Sequence, residues 1–119
     1  MAMLVQVIDG VVGNKFTLDK KSHSIGRSPK SDIILDDVSV SSQHAVIDAK
    51  EQSYFDGYCD FIIRDLNSTN GTYVNDERIV EKKLVNGDIV NVAWNTFRFI
   101  DDNEMNLEKT IQILYGSSS

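Results

Sequence analysis

Residues 59–74 read Cys59-Asp60-Phe61-Ile62-Ile63-Arg64-Asp65-Leu66-Asn67-Ser68-Thr69-Asn70-Gly71-Thr72-Tyr73-Val74. An apolar, β-branched run passes into a polar loop and out into a second short apolar run. The run before Asp65 has the composition of a strand. The loop is made of residues whose side chains bond their own backbone and so stabilise turns. Asn-Gly at its end supplies residues that tolerate positive φ. An exposed asparagine amide in such a loop donates and accepts at once, which is what holding the backbone of an extended peptide requires.

The same grammar extends in both directions. Met3–Asp9, Lys15–Leu18, Ser22–Gly26, Asp32–Leu35 and His44–Asp48 are short strand candidates before this stretch. Lys83–Val85, Asp88–Val92 and Asn95–Ile100 follow it. Gly13-Asn14, Asp56-Gly57 and Asn86-Gly87 read as turns between them. Many short strands separated by turn signals predict an all-β sandwich or barrel. The expected core includes Val7, Ile8, Ile25, Ile34, Val46, Ile63, Val90 and Phe99. No long helical period precedes residue 101, which argues against an α/β fold. The domain is expected over residues 1–100, with 101–119 a tail or connector. Apolar residues at 107, 111, 114 and 115 fit a short amphipathic helix, and equally an extended linker.

Composition narrows the function. The 119 residues suit one domain, and 41% apolar content can build a core without staples. A single cysteine, Cys59, forms no internal disulfide. No run of about 18 apolar residues exists to span a membrane, and the N-terminus has no secretory pattern, so the cytoplasm is the expected compartment. The net charge of −6 opposes nucleic-acid binding. A phosphate ligand therefore needs a local basic spot, and Lys20, Lys21, Arg27 and Lys30 offer one. No metal-ligand cluster, Cys–His pair or phosphate-cradling glycine loop is present, so neither metal nor cofactor is expected. Ser41 and His44 lack an orienting acid and a nucleophile elbow, which argues against hydrolytic chemistry.

Two further loops stand out. Gly26-Arg27 ends a strand candidate, and arginine suits phosphate because its planar fork donates paired, charge-assisted bonds. Ser39-Val40-Ser41-Ser42-Gln43-His44 offers hydroxyl donors. Gly26-Arg27, then Ser41-x-x-His44, then Ser68-Thr69-Asn70-Gly71-Thr72-x-x-Asn75 together resemble the signature of the forkhead-associated (FHA) domain, over about residues 3 to 100.

The resemblance implies an eleven-stranded β-sandwich whose loops at one end bind a phosphothreonine peptide. It implies phosphate contacts from Arg27, Ser41 and Thr69, with Ser42 beside them, and a grip on the peptide backbone by Asn70. It gives Gly26, His44, Gly71 and Asn75 loop-shaping roles. Ser42 stands where many members have Arg or Asn, and Asp76 where glycine is common after Asn75. The absence of a basic residue among Ser39, Val40, Ser42 and Gln43 points to an aliphatic residue three places after the phosphothreonine. The expected partner is a phosphothreonine protein or peptide, with neither nucleic acid nor membrane. The rival expectation is a phosphate-independent assembly module on the same fold. Thr110, followed by Ile113, is a candidate phosphorylation site for self-association.

Overall fold

The computed structural model describes residues 1–51 and 59–102. The expected Asp56-Gly57 turn, the tail with its amphipathic spacing, and Thr110 lie outside these residues. Eleven strands are described: β1 (Ala2–Ile8), β2 (Val11–Thr17), β3 (Ser22–Gly26), β4 (Ile33–Ile34), β5 (Ala45–Glu51), β6 (Cys59–Asp65), β7 (Thr72–Val74), β8 (Glu77–Arg78), β9 (Glu81–Leu84), β10 (Ile89–Val92) and β11 (Asn95–Asp101). They form two sheets, ordered β2-β1-β11-β10-β7-β8 and β4-β3-β5-β6-β9. Every pairing is antiparallel except β3 with β4.

Side-chain alternation explains how the sheets stack. Phe97 and Phe99 on β11 are buried and flank the exposed Arg98. Phe61 and Ile63 on β6 are buried from the opposite sheet. Phe61 and Phe99 meet across the sandwich with centroids 5.6 Å apart and planes tilted by 55°. Phe16 packs edge-on against Phe97 at 6.2 Å. Such rings bury large apolar area and add favourable aromatic geometry. Ile25, Val46, Ile63, Val90 and Phe99 are buried as expected.

Three expected core positions differ. Val7 is only half-buried. Ile8 has the parity of buried Leu4 but sits beside the β1–β2 turn, where it is 53% exposed. Ile34 is 49% exposed because β4 has two residues, and Ile33 takes the inward position. Gly13-Asn14 is not the turn. The chain turns at Asp9-Gly10, both with positive φ (51° and 79°). Gly13 and Asn14 lie within β2, where the register with β1 slips between Val5 and Val7. An extra residue is accommodated there as a bulge.

The topology gathers the three polar loops singled out in the sequence at one end. Strands β1, β3 and β6 arrive there, and β5, β7 and β11 depart from it. Asp101 pairs with Ala2 at the other end, so β11 ends opposite the loops.

The β7–β8 hairpin, unmarked by any Asn-Gly pair, turns through Asn75 and Asp76 at φ 50° and 70°. Two-residue turns of this kind favour glycine at the second position. Relief of left-handed strain, about 1–2 kcal/mol, exceeds the unfolded-state entropy that glycine adds, about 0.4–1 kcal/mol. Asp76→Gly is therefore expected to raise the melting temperature by about 2–5 °C. A lowered melt would show that Asp76 makes a compensating bond.

Candidate functional site

The first loop begins where β3 ends at Gly26. A Cβ placed on Gly26 would lie 2.1 Å from the Ser42 carbonyl oxygen, so only glycine allows the two backbones to close here. The contact is then zipped by backbone bonds. Arg27 N–H donates to Ser41 O at 3.0 Å, Ser28 N–H to Ser42 O at 3.2 Å, and His44 N–H to Ile25 O at 2.9 Å. This leaves the Arg27 side chain exposed, its guanidinium without a hydrogen bond or ion pair among the described residues.

The far side of that loop is clasped by Asp32. Its carboxylate accepts from Lys20 Nζ at 2.8 Å, from Ser24 N–H at 2.9 Å and from the Ser24 hydroxyl at 3.1 Å. Bonding to the Lys20 ammonium, then to Ser24, lowers the Asp32 pKa from 3.8 to about 2.

The second loop is built on Asp37. Its carboxylate accepts Ser39 N–H at 2.9 Å and the Asn95 amide at 3.1 Å, and its carbonyl accepts Val40 N–H at 2.9 Å. Val40 is buried and pins the loop to the core. Ser41 N–H donates to His44 Nδ1 at 3.1 Å. Because Nδ1 accepts, the proton sits on Nε2, which donates to the Gly71 carbonyl at 2.8 Å. The fully buried imidazole is therefore satisfied on both nitrogens. It bonds the Ser41 amide, not the Ser41 hydroxyl, and so forms no nucleophile–base pair.

The third loop folds around Asp65. One carboxylate oxygen accepts the hydroxyls of Ser68 (2.6 Å) and Thr72 (2.7 Å), and the other accepts Ser68 N–H (3.0 Å). Burial pushes the Asp65 pKa up, but these donors outweigh it and hold it below the ordinary 3.8. The Ser68 hydroxyl also accepts Gly71 N–H at 3.0 Å, and Gly71 takes φ 86°. Two bonds then reach the second loop. Thr69 N–H donates to Ser41 Oγ at 3.2 Å, and Asn70 Nδ2 donates to Ser39 O at 2.8 Å.

The structure thus brings Arg27, Ser41, Ser42, Thr69 and Asn70 onto one joined surface. Ser42 and Thr69 are exposed, and Ser41 and Asn70 are partly so. Gly26, His44 and Gly71 lie buried beneath it. Asn75 stands apart, on the β7–β8 turn. Its side chain accepts Ile89 N–H at 2.9 Å and donates to Asp88 at 3.0 Å, tying that turn to β10.

Chemically, this is a surface of donors around a guanidinium that is uncompensated among the described residues, suited to a small anion. Among the described residues no group of three His, Cys, Asp or Glu side chains could hold a metal. Reasoning from sequence overlooked the Asp37 and Asp32 clasps and undervalued Asp65. Asp37-x-Ser39 and Asp65-x-x-Ser68 carry the turn-forming spacing that signals two of them.

A family model described as FHA domain matches residues 23–93. Glycogen accumulation regulator GarA of Mycobacterium tuberculosis is 41% identical over 92 residues, which are 77% of this chain and 52% of GarA. The chain thus spans about half the length of the mycobacterial relatives it matches. A structure from work on phosphothreonine-dependent FHA domain interactions aligns with a TM-score of 0.70 at 31% identity, covering 85% of this chain and 97% of its own. Mycobacterium tuberculosis EmbR, solved in complex with a low affinity phosphopeptide, aligns with a TM-score of 0.70 at 33% identity, over 83% of this chain and 24% of EmbR.

Three depressed carboxylates contribute to the acid response: Asp32, Asp65, and Asp37, which the Ser39 N–H holds below its ordinary value. Each contributes stability that is complete above its unfolded value near 3.8 and is lost as pH falls through its folded value, about 2 for Asp32. The urea midpoint should hold level down to about pH 4 and fall below it. Asp32→Asn is expected to flatten part of that fall. An acid slope identical to wild type would remove Asp32 from the explanation.

Proposed function

The chain belongs to the FHA domain family, and we propose that it is a phosphothreonine-peptide-binding signalling module that recruits phosphorylated partners. The observation that carries this reading is the exposed Arg27 guanidinium, unpaired among the described residues, set beside the hydrogen-bonded second and third loops. A phosphate brings about −1.5 to −2 charge and strong acceptor oxygens. Arg27 supplies the opposing charge and a two-pronged donor. The Ser41 oxygen already accepts Thr69 N–H, which leaves its own O–H to donate outward. Ser42 and Thr69 add hydroxyls. Asn70 commits one amide hydrogen to Ser39 and keeps its carbonyl and second hydrogen for the peptide backbone. Phosphothreonine is favoured over phosphoserine through contact of its methyl with the loop walls.

This role is binding, not catalysis. The nearest acid–base candidate, His44, has both ring nitrogens engaged within the protein. Among the described residues no helix is long and apolar enough to cross a membrane. We place the chain in the cytoplasm, where kinases supply phosphothreonine, and by analogy with GarA assign it a regulatory part in a larger protein.

Self-association through phosphorylated Thr110 is a further part of the proposal. β11 ends opposite the loops, and its seven residues span roughly 20 Å. The nine residues that follow Asp101, up to Thr110, reach about 30 Å when extended. Little of that reach remains for rounding its own sandwich, so docking on a neighbouring copy is favoured.

A specific observation supports a second, phosphate-independent contact. Trp94 is 69% exposed and Ile8 53%, both lining one depression, with Val11 paired beside Ile8 and 68% exposed. Exposed apolar patches of this kind mark protein contacts.

Arg27→Ala is expected to abolish measurable binding of a phosphothreonine peptide in fluorescence anisotropy, with an unchanged melt. Removing one partner of a desolvated charge pair costs about 2–5 kcal/mol. Ser41→Ala and Asn70→Ala should each cost about 1–3 kcal/mol of affinity. Equal affinity for the phosphorylated and plain peptides would defeat the proposal.

A further inference from the structure

On the outer face of the second sheet, a groove of about 310 Å³ opens beside the joined loops. It starts at Ser28 and Gln43, the chain neighbours of Arg27 and Ser42, and runs to Arg64 and Leu66, with Val46 also in its lining. Two cations line it, Lys30 and Arg64, and among the described residues no carboxylate does. In a chain with 18 acidic and 12 basic residues, such a lining is out of keeping with the whole.

Both cations are accessible. Lys30 is exposed, and its ammonium has no hydrogen bond or ion pair among the described residues. Arg64 is 47% exposed at its side chain. Among the described residues its nearest carboxylate oxygen belongs to Asp48, at 3.7 Å, too far for a hydrogen bond. Glu81 faces Arg64 across the β6–β9 ladder. Neither Ser39 nor Asn70 lines the groove, so it is separate from the side of the second loop that Asn70 holds.

We infer that this groove is a subsite for an acidic side chain of the same phosphopeptide, displaced along the peptide from the phosphothreonine. The carboxylate sits between Lys30 and Arg64, and its methylenes lie on Val46 and Leu66. An incoming carboxylate at hydrogen-bonding distance outcompetes a loose surface pair such as Arg64 with Asp48. The inference rests on the phosphothreonine reading and adds a charge preference to it, supplied by residues outside the phosphate contacts. Because the lining pair is part-exposed, salt should screen the preference.

The test uses a host peptide with four alanines on each side of a phosphothreonine, and eight variants that each carry one glutamate. Affinities are measured by fluorescence anisotropy for the wild type, Lys30→Gln and Arg64→Gln, at low and raised salt. At least one glutamate position is expected to tighten wild-type binding by about three- to tenfold. Lys30→Gln and Arg64→Gln should each erase most of that gain and keep the wild-type melt, and Arg64→Gln should leave the all-alanine host within about twofold of wild type. Host binding with no glutamate position that responds to either substitution overturns this inference alone. No binding of the host by the wild type, or equal binding of its unphosphorylated form, overturns the phosphothreonine reading and this inference with it.

Discussion

The imidazole of His44 accepts the Ser41 N–H on one side and donates to the Gly71 carbonyl on the other, with no surface open to solvent. Through it the second loop, which carries the hydroxyl of Ser41, is fixed to the third, which carries Thr69 and Asn70. The first loop joins through the close approach of Gly26 to the Ser42 carbonyl and the backbone bonds that follow it. Both devices need a particular residue. A neutral imidazole in one tautomer bridges an N–H and a C=O, and a glycine leaves room for backbone on backbone. The exposed donors depend on this buried frame for their spacing, as directional recognition of an anion requires.

The frame is costly to build and is compensated locally. Asp65 is partly desolvated, yet three donors converge on it, and they turn a carboxylate that burial disfavours into the pivot of a loop. Asp37 anchors the second loop, its carboxylate accepting from Ser39 and Asn95 and its backbone carbonyl from Val40. Asn95 belongs to the first sheet and the second loop links strands of the other, so this bond couples the two halves of the sandwich at the functional end. Placing polar loops over paired strands lets the aromatic core, Phe61 against Phe99, supply cohesion while the loops supply chemistry.

Much of this was legible in the sequence because it is local. The strands around Ile25, Ile63 and Phe99 follow from short apolar runs between turn residues, and Gly26-Arg27 and Asn70-Gly71 are readable as loop signals. What was not legible is where a run sits relative to the opposite sheet. Ile8 has core parity and apolar chemistry, but its place beside a turn leaves it exposed. Ile34 fails by parity alone, since a two-residue strand buries one side chain and Ile33 claims it. Gly13-Asn14 carries a turn signal as strong as Asp9-Gly10, and the choice between them is made by pairing across β1. At the groove, Arg64 and Lys30 are far apart in sequence, and the β3–β5 and β5–β6 pairings together bring the end of β6 toward the first loop. No local pattern encodes such a meeting.

In the proposed function a phosphothreonine is read by the three joined loops at one end of the sandwich. Amide chemical-shift mapping, with the labelled chain titrated by a phosphothreonine peptide and by its plain counterpart, tests it most directly. The phosphorylated peptide should shift the amides of Arg27, Ser41, Ser42, Thr69 and Asn70 and leave those of Ser22 and Leu84, at the far end, unmoved. The plain peptide should shift none of them. Equal shifts from both peptides, or shifts centred on Trp94 and β2 while Arg27 stays still, would contradict it.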